Sequence, residues 1–365
     1  MKILSSTEDY TQFFSGDPLL SFSLRVTIKC NLRCEHCYAN SGTSHGKELE
    51  LGEIERLLEE AREIGCCGVF YTGGEPFVRR DMVDILKETS TRGIPIYLSS
   101  NGTLIDREKL EQLKGIPFRL FQISIDGPSP EVHDKIRNVE GTFQRAINVI
   151  KAASGILGKN VALSSVLMKS NYQVIPDVMR LAADLGADTF ALMLLLVTGR
   201  AKEEIDPTPA EKVSTFEKIF EKYRELNGKI KFASNTTIPL ALIPEDIRNP
   251  ENPPFCLCSF PLTMGIDEMG NVFPCDGFMN FEEYKAGNIR ENGLTHIWEN
   301  SKMLRKLKTM ELTELKGICS KCKYLDVCGG GCRAAAHIRY GDIRMPDPVC
   351  QDLFDAGLFP EECLR

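Results

Sequence analysis

Residues 29–38 read KCNLRCEHCY and place three cysteines, Cys30, Cys34 and Cys37, within eight positions. Three thiolates on a four-iron cube leave one iron without a protein ligand, and an open metal position is what catalysis requires. A zinc site would need a fourth ligand, for which His36 is available, and plain loop cysteines are the other alternative. The spacing favours an open iron–sulfur site over these two alternatives.

Strand-like and helix-like segments alternate along the first two thirds of the chain, and the cysteine loop follows the first of them. The strand-like runs cover residues 22–28, 68–72, 94–99, 118–125, 161–168 and 189–196. Amphipathic stretches cover residues 51–64, 81–91, 106–113, 142–153 and 174–185, and a further helix is predicted from about 210 to 226. This alternation predicts βα units with a parallel sheet. Right-handed crossovers would curl six such units into a barrel or part of one.

Short polar or glycine-rich motifs directly follow four of the predicted strands. They are the three-cysteine loop, Gly73-Gly74-Glu75-Pro76, Ser100-Asn101-Gly102 and Ser124-Ile125-Asp126-Gly127. In α/β barrels the C-terminal ends of the strands carry the chemistry. The sequence therefore predicts a functional site at this edge of the sheet.

The composition is that of a globular chain without general affinity for polyanions. The 365 residues carry 44 Lys and Arg against 51 Asp and Glu, a net charge of −7, which predicts no nucleic-acid and no membrane partner. The longest strongly apolar run, residues 190–197, is too short to span a bilayer, and the N-terminus lacks the apolar core of a secretory signal. We therefore expect a cytoplasmic protein.

Nine of the 14 cysteines form a second cysteine-rich region after residue 250. A disulfide framework is the weaker interpretation, because a chain of this size without a secretory signal can bury its own core. The dense spacing Cys319-x2-Cys322-x5-Cys328-x3-Cys332 is typical of metal binding, with iron–sulfur clusters or structural zinc as alternatives.

The proline-rich segment 243–254 indicates a linker before this region. The chain is thus predicted to divide into an N-terminal segment 1–20, a barrel 21–235, a linker 236–254, a metal-binding domain 255–352 and a C-terminal tail 353–365.

The cysteine loop and the Gly-Gly-Glu-Pro motif one βα unit later closely resemble those of the radical S-adenosylmethionine enzymes, over about residues 20–200. The resemblance implies an α/β fold with a partial (β/α)6 TIM-like barrel. It implies a [4Fe–4S] cluster held by Cys30, Cys34 and Cys37, whose open iron is chelated by S-adenosylmethionine. An electron from the cluster then breaks the sulfonium C–S bond and gives a 5′-deoxyadenosyl radical, which abstracts a hydrogen atom from the substrate.

The same resemblance implies which residues contact S-adenosylmethionine. His36 would lie beside the adenine, and Arg137 would pair with the methionine carboxylate, a surface arginine on a helix being the alternative. The methionine ammonium would meet Gly73, Gly74 and Glu75, and the ribose or carboxylate contacts would come from Asn101, Ser124 and Asp126.

Residues 255–352 resemble the SPASM domain, the auxiliary-cluster extension of some radical S-adenosylmethionine enzymes. The resemblance implies two auxiliary [4Fe–4S] clusters. Cys319, Cys322, Cys328 and Cys350 would hold the outer one, and Cys275, Cys332, Cys258 and Cys256 the inner one. The Cys256-Leu257-Cys258 pair is closer than is usual in the family, so an inner cluster with three protein ligands and one open iron stays an alternative.

Asp276 directly follows Cys275, and in sulfatase-maturating relatives an aspartate at this place removes a proton during substrate oxidation. The alternative is a turn aspartate that caps backbone N–H groups. The resemblance thus implies an oxidoreductase that modifies a peptide or protein side chain, with flavodoxin or ferredoxin as electron donor. Only 21 residues precede the first predicted strand, so we expect a separate partner to bind any peptide leader.

Two other functions stay open. Residues 197–200 (VTGR) and 332–350 also resemble enzymes that modify tetrapyrrole side chains on the haem or haem d1 route. A non-enzymatic iron–sulfur or zinc-binding protein is the third possibility, although such a protein needs no site for S-adenosylmethionine.

Overall fold

The computed structural model describes residues 19, 21–42, 46–233, 238–248, 256, 258 and 262–365. The predicted N-terminal segment 1–20 therefore lies outside the described residues except for residue 19. The same holds for residues 236–237 and 249–254 of the predicted linker.

Within the described residues, ten strands form one sheet. They are β1 (Ser21–Arg25), β2 (Val69–Thr72), β3 (Ile96–Ser100), β4 (Phe118–Ser124), β5 (Val161–Leu167), β6 (Thr189–Leu194), β7 (Lys231–Ala233), β8 (Thr263–Ile266), β9 (Asn271–Phe273) and β10 (Gly287–Asn288). Strands β1 to β7 lie side by side in chain order, and all are parallel. This arrangement confirms the predicted partial barrel.

The C-terminal part of the chain extends the same sheet. β8 pairs in parallel with β1 on the side opposite β2, and β9 and β10 follow in antiparallel order. The sheet order therefore runs β10-β9-β8-β1-β2-β3-β4-β5-β6-β7. No pairing joins β7 to β10 in the described part of the chain, so the curved sheet is open. The domain boundaries predicted from the sequence stay a prediction.

The helices follow the strands on the outer face of the sheet, with a further group in the C-terminal region. They are α1 (Leu51–Glu63), α2 (Met82–Thr91), α3 (Arg107–Gln112), α4 (Pro130–Arg137), α5 (Thr142–Ile156), α6 (Ile175–Asp184), α7 (Pro209–Leu226), α8 (Leu294–Asn300), α9 (Lys302–Lys308), α10 (Leu325–Cys328), α11 (Arg333–Tyr340) and α12 (Pro348–Asp355). No helix of the described residues is long and apolar enough to cross a bilayer.

Local sequence explains where the longer helices begin and which face they bury. α7 starts at Pro209 behind a capping box in which Thr208 and Glu211 bond reciprocally, because these side chains satisfy N–H groups that the first turn leaves free. In α1 the buried residues are Ile54, Leu57, Leu58 and Ala61, a stripe at helical spacing that packs on the sheet.

β1 has two different faces, and this positions the site. Phe22 and Leu24 are fully buried in the core that the sheet shares with the helices. Ser23 and Arg25 alternate with them and therefore point to the inner face of the curved sheet. The inner face of the strand that leads into the cysteine loop is thus polar.

Within residues 21–235, one strand and one helix of the structure were not predicted from the sequence. β7 has only three residues, too few for an alternating pattern. α4 buries His133, Ile136 and Arg137, so two of its three buried side chains are polar and its apolar periodicity is absent.

The C-terminal residues pack on the segment around Cys322. Residues Cys322 and Leu364 form an isolated antiparallel bridge. Lys323 N–H donates to Cys363 O (2.9 Å), and Arg365 N–H donates to Lys321 O (2.7 Å). The predicted tail is therefore attached to the predicted metal-binding domain by backbone hydrogen bonds.

Candidate active site

The three cysteines of residues 30–37 lie on the loop that follows β1. Cys34 is buried, Cys30 and Cys37 are partly exposed, and none of them forms a disulfide. Burial raises the pKa of the Cys30 thiol to about 11 and also raises that of Cys34. A buried thiol ionises readily only when a metal or cation takes up its charge, so these side chains suit metal ligation.

The Gly73-Gly74-Glu75-Pro76 motif forms a turn after β2 that packs against the start of the cysteine loop. Gly74 N–H donates to Thr27 O (2.7 Å), and Glu75 N–H donates to Lys29 O (2.9 Å). A Cβ on Gly74 would lie 2.2 Å from Lys29 O, which leaves room only for glycine. The two sequence motifs are therefore joined through their backbones.

Glu75 is fully buried and joins this turn to the end of β3. Its Oε1 accepts hydrogen bonds from Ser100 Oγ (2.8 Å) and Phe77 N–H (3.1 Å), and its Oε2 accepts one from Asn101 N–H (2.7 Å). Burial raises the pKa of the Glu75 carboxyl, and the three hydrogen bonds act against this rise. The predicted contact between Glu75 and the methionine ammonium stays a prediction.

Asn101 and Ser124 lie at the ends of neighbouring strands. Asn101 Nδ2 lies 3.1 Å from Asn31 Oδ1 and 4.0 Å from Cys30 Sγ, so this side chain contacts the cysteine loop directly. Ser124 is the last residue of β4 and is half-buried. Both residues are thus at the edge of the sheet where the sequence predicts the site.

A buried ion pair lies beside Cys34. Arg137 Nε donates to Asp126 Oδ2 (2.6 Å), and Arg137 Nη1 lies 3.8 Å from Cys34 Sγ. Arg137 is only 7% exposed, so the alternative of a surface arginine is wrong. The position within α4 explains this burial, because the helix ends at Arg137 and its last turn faces the cysteine loop.

His36 lies next to the same carboxylate, with Nε2 3.7 Å from Asp126 Oδ2. Burial lowers the pKa of His36 to about 4, so the imidazole is neutral at physiological pH. Its Nδ1 is buried and has no hydrogen-bond partner among the described residues. A buried polar atom without a partner fits a ligand that supplies one, as adenine would.

Asp276 lies against the inner face of β1. Its Oδ1 accepts a hydrogen bond from Ser23 Oγ, and Arg25 on the same face pairs with Glu268 at 2.6 Å. Burial raises the pKa of the Asp276 carboxyl. Burial also raises the pKa of the Tyr38 phenol, and the charge of the Asp276 carboxylate adds to this rise. Asp276 opens a short 3-10 turn as well, but its carboxyl is turned towards β1.

The four cysteines predicted for the outer cluster line one cavity. Leu240, Ala241, Leu325 and Phe359 supply part of its apolar wall. Burial raises the pKa of the thiols that line it, in one case to about 12. An apolar cavity lined by four unpaired thiols fits an iron–sulfur cluster, whose net charge stays low when thiolates bind iron. These cavity-lining cysteines are Cys319, Cys322, Cys328 and Cys350.

The cysteines predicted for the inner cluster pack in one hydrophobic group around Phe278. Cys258 is buried there, and Cys256, Cys275 and Cys332 lie against it. No three His, Cys, Asp or Glu side chains among the described residues converge on a single metal-ion position.

Sequence analysis missed the residues that surround the predicted ones. Ser23 donates a hydrogen bond to Asp276, and Arg25 pairs with Glu268. The alternation of these two polar residues with Phe22 and Leu24 was the signal that could have identified a polar inner face. Arg200 contacts the cysteine loop, although its segment VTGR was noted only for a resemblance to tetrapyrrole enzymes.

Family models match both parts of the chain. The model of the radical SAM superfamily matches residues 24–182, and the model of the iron–sulfur cluster-binding domain SPASM matches residues 256–323. The first segment contains Cys30, Cys34 and Cys37, and the second contains Cys256, Cys258, Cys275, Cys319 and Cys322.

Curated proteins and solved structures are similar over most of the chain. An AdoMet-dependent heme synthase of Methanosarcina barkeri is 32% identical over 89% of this chain and 94% of its own length. The mycofactocin maturase MftC of Mycolicibacterium smegmatis is 28% identical over 97% of this chain and 88% of its own length. The fold is similar to that of Streptococcus suis SuiB bound to S-adenosylmethionine, with a TM-score of 0.76 and 21% identity over 92% of this chain and 78% of SuiB.

The identity and coverage of the heme synthase, together with the two model matches, decide the family. The chain belongs to the radical S-adenosylmethionine superfamily and is an enzyme with a C-terminal SPASM domain.

Proposed function

We propose that this enzyme oxidises a side chain of a peptide or protein, with S-adenosylmethionine as co-substrate. Cys30, Cys34 and Cys37 would hold the catalytic cluster, and the two C-terminal sets of cysteines would hold two auxiliary [4Fe–4S] clusters. When bound, these groups would supply the 5′-deoxyadenosyl radical that removes a hydrogen atom and the acceptor for the second electron. Flavodoxin or ferredoxin would supply the reducing electron.

The chain's own residues would orient S-adenosylmethionine and keep water away from it. The neutral His36 would contact the adenine through Nδ1, which otherwise has no partner among the described residues. Arg137 would bind the methionine carboxylate while it keeps its contact with Asp126. The methionine ammonium and the ribose would lie at the same edge of the sheet, beside Gly73, Gly74, Glu75, Asn101 and Ser124.

The observation that carries an oxidation is the environment of Asp276. A net two-electron oxidation removes one hydrogen atom, one electron and one proton, and the proton needs an acceptor. The Asp276 carboxyl is buried beside Ser23 on the inner face of β1, and burial raises its pKa. A carboxylate with a raised pKa is a better base near neutral pH. We assign the proton acceptor to Asp276.

Modification of a tetrapyrrole is the second candidate. The similarity to the heme synthase of M. barkeri, at 32% identity over 89% of the chain, favours it. The similarity to a mycofactocin maturase over 97% of the chain favours the peptide substrate.

The test is anaerobic turnover of the reconstituted, reduced enzyme with S-adenosylmethionine and each class of candidate substrate. Short peptides encoded next to the gene and a propionate-bearing iron porphyrin are added separately, and 5′-deoxyadenosine and substrate mass are followed together. We expect 5′-deoxyadenosine to form in proportion to a peptide that has lost hydrogen. Coupled conversion of the porphyrin, with no peptide turned over, would replace the first candidate by the second.

A further inference from the structure

The turn after β6 holds the cysteine loop through the backbone carbonyls of that loop. Arg200 N–H donates to Cys37 O (2.9 Å). The Arg200 guanidinium donates from Nε to Cys34 O (2.9 Å) and from Nη1 to Ser41 O (2.6 Å). A single residue thus connects three points of the loop, from its second cysteine to four residues beyond its third.

The residue before Arg200 allows this close approach. Gly199 has a φ of +67°, and a Cβ at this position would lie 2.3 Å from Tyr38 O. Asn280, from the C-terminal region, donates from Nδ2 to the same Tyr38 carbonyl (2.6 Å). Because only glycine fits between the turn and the loop, the contact depends on the Gly199-Arg200 pair as a unit.

Arg200 differs in charge balance from Arg137, which also contacts the cysteine loop. Arg137 is neutralised by Asp126 at 2.6 Å. Arg200 is half-buried, and within the described part of the chain its side chain bonds to carbonyl oxygens and to no carboxylate. The guanidinium therefore adds an uncompensated positive charge next to Cys34 and Cys37.

We propose that Arg200 is a positioning residue that fixes the cysteine loop and raises the reduction potential of the cluster held there. Reduction adds negative charge to a cluster, so a fixed positive charge nearby stabilises the reduced form. Hydrogen bonds from one planar fork to two carbonyls also hold the ligand-bearing loop in one conformation. The inference rests on the proposed function, in which Cys30, Cys34 and Cys37 are the cluster ligands.

The test compares Arg200→Gln, which removes the charge, with Arg200→Lys, which keeps it. The holoenzyme is titrated potentiometrically under anaerobic conditions, and electron paramagnetic resonance follows the signal that changes when S-adenosylmethionine is added. We expect R200Q to shift the midpoint potential of this signal to more negative values, and R200K to stay close to the parent. Arg290→Gln is the matched control, because Arg290 also donates to backbone carbonyls, those of Lys47 and Met269, but does not contact the cysteine loop.

A parent-like potential in R200Q, or a potential in R200K as low as that of R200Q, would overturn the proposal. If R200Q loses the iron of this cluster, its potential cannot be measured, and the test then compares R200K with the parent. In that case the proposal requires that R200K keeps both its iron and the parent potential. Iron analysis separates this inference from the ligand assignment. If the Cys30/Cys34/Cys37→Ala variant keeps the parent iron content, the assignment itself fails. If that variant loses about four irons while R200Q keeps the parent potential, only the role of Arg200 fails.

Discussion

Asp276 is the residue whose surroundings say most about the chemistry. Its carboxyl bonds to Ser23 on β1, and the nearby Arg25 is already neutralised by Glu268. Burial of Asp276 outweighs the opposing effects of the Ser23 hydrogen bond and the Arg25 charge, and its pKa is raised. The consequence is a carboxyl group that takes up a proton more readily than an exposed aspartate.

We predict that Asp276→Asn uncouples the two halves of the oxidation. The amide cannot accept the proton, so the oxidised product should fall by at least tenfold, while 5′-deoxyadenosine should still form, because hydrogen abstraction does not need this base. In the parent, product formation should rise with pH through the raised pKa of Asp276, since only the carboxylate accepts a proton. Both compounds are measured by liquid chromatography and mass spectrometry. Full product yield in D276N would exclude Asp276 as the base.

The pair of Asp126 and Arg137 is a second feature that depends on single residues. We predict that Arg137→Met lowers the free energy of unfolding by about 3–5 kcal/mol, because it leaves the fully buried Asp126 carboxylate without its counter-charge. Anaerobic urea denaturation measures the change.

The matched control for this pair is Arg224→Met. Arg224 pairs with Asp246 at the surface, where both side chains are about half exposed and solvent screens the charges, so its loss should cost much less than the loss of Arg137. Equal destabilisation by the two substitutions would show that burial of Asp126 is not the cause.

The sequence predicted the positions of individual site residues where two short motifs follow neighbouring strands. The cysteine loop and the Gly-Gly-Glu-Pro turn were predicted at the same edge of the sheet, and their backbones are hydrogen-bonded. The partners of these residues were not predicted, because Arg200 and Asn280 lie about 160 and 240 positions further along the chain and contact the loop through its backbone carbonyls. Contacts of this kind leave no local pattern in a sequence.

The turn after β2 packs closely against the start of the cysteine loop. We predict that Gly74→Ala weakens S-adenosylmethionine binding by at least tenfold, because its Cβ would lie 2.2 Å from Lys29 O and would push the turn away from the cysteine loop. Equilibrium dialysis of the reconstituted enzyme measures the affinity.

Gly52→Ala is the control for this substitution. Gly52 lies in the first turn of α1 with no atom within 4 Å of the added Cβ, so alanine should leave binding unchanged and should stabilise the helix slightly. Parent-like affinity in G74A would mean that the turn tolerates displacement and does not position the ligand.

The six strands predicted from the sequence correspond to β1 to β6. They could be predicted because each lies in an apolar run of its own. The sequence prediction extended β1 to residue 28, whereas the strand ends at Arg25. Residues 26–28 stay buried, two of them (Val26 and Ile28) with apolar side chains, but they lie beyond the end of β1 and form the start of the cysteine loop. Burial without sheet pairing gives the same sequence pattern as a strand, which explains the difference.

At the scale of the whole molecule, the two sequence regions share one sheet. β8 comes from the C-terminal region and pairs with β1, the strand that leads to the cysteine loop. Asp276 and Asn280 follow β9 and contact Ser23 and Tyr38. The C-terminal region is thereby attached to the barrel at the active site. Its separate domain was predicted from cysteine spacing, which carries no information about strand pairing.

The central claim is that this chain holds three four-iron clusters on the three sets of cysteines, and metal analysis tests it most directly. Iron, sulfide and zinc per chain are measured after anaerobic reconstitution for the parent and for alanine variants of each set. We predict about twelve irons per chain in the parent and about eight in each variant, because each variant loses one four-iron cluster and keeps the other two. Stoichiometric zinc with little iron, or a parent content unchanged by the loss of Cys30, Cys34 and Cys37, would contradict the account.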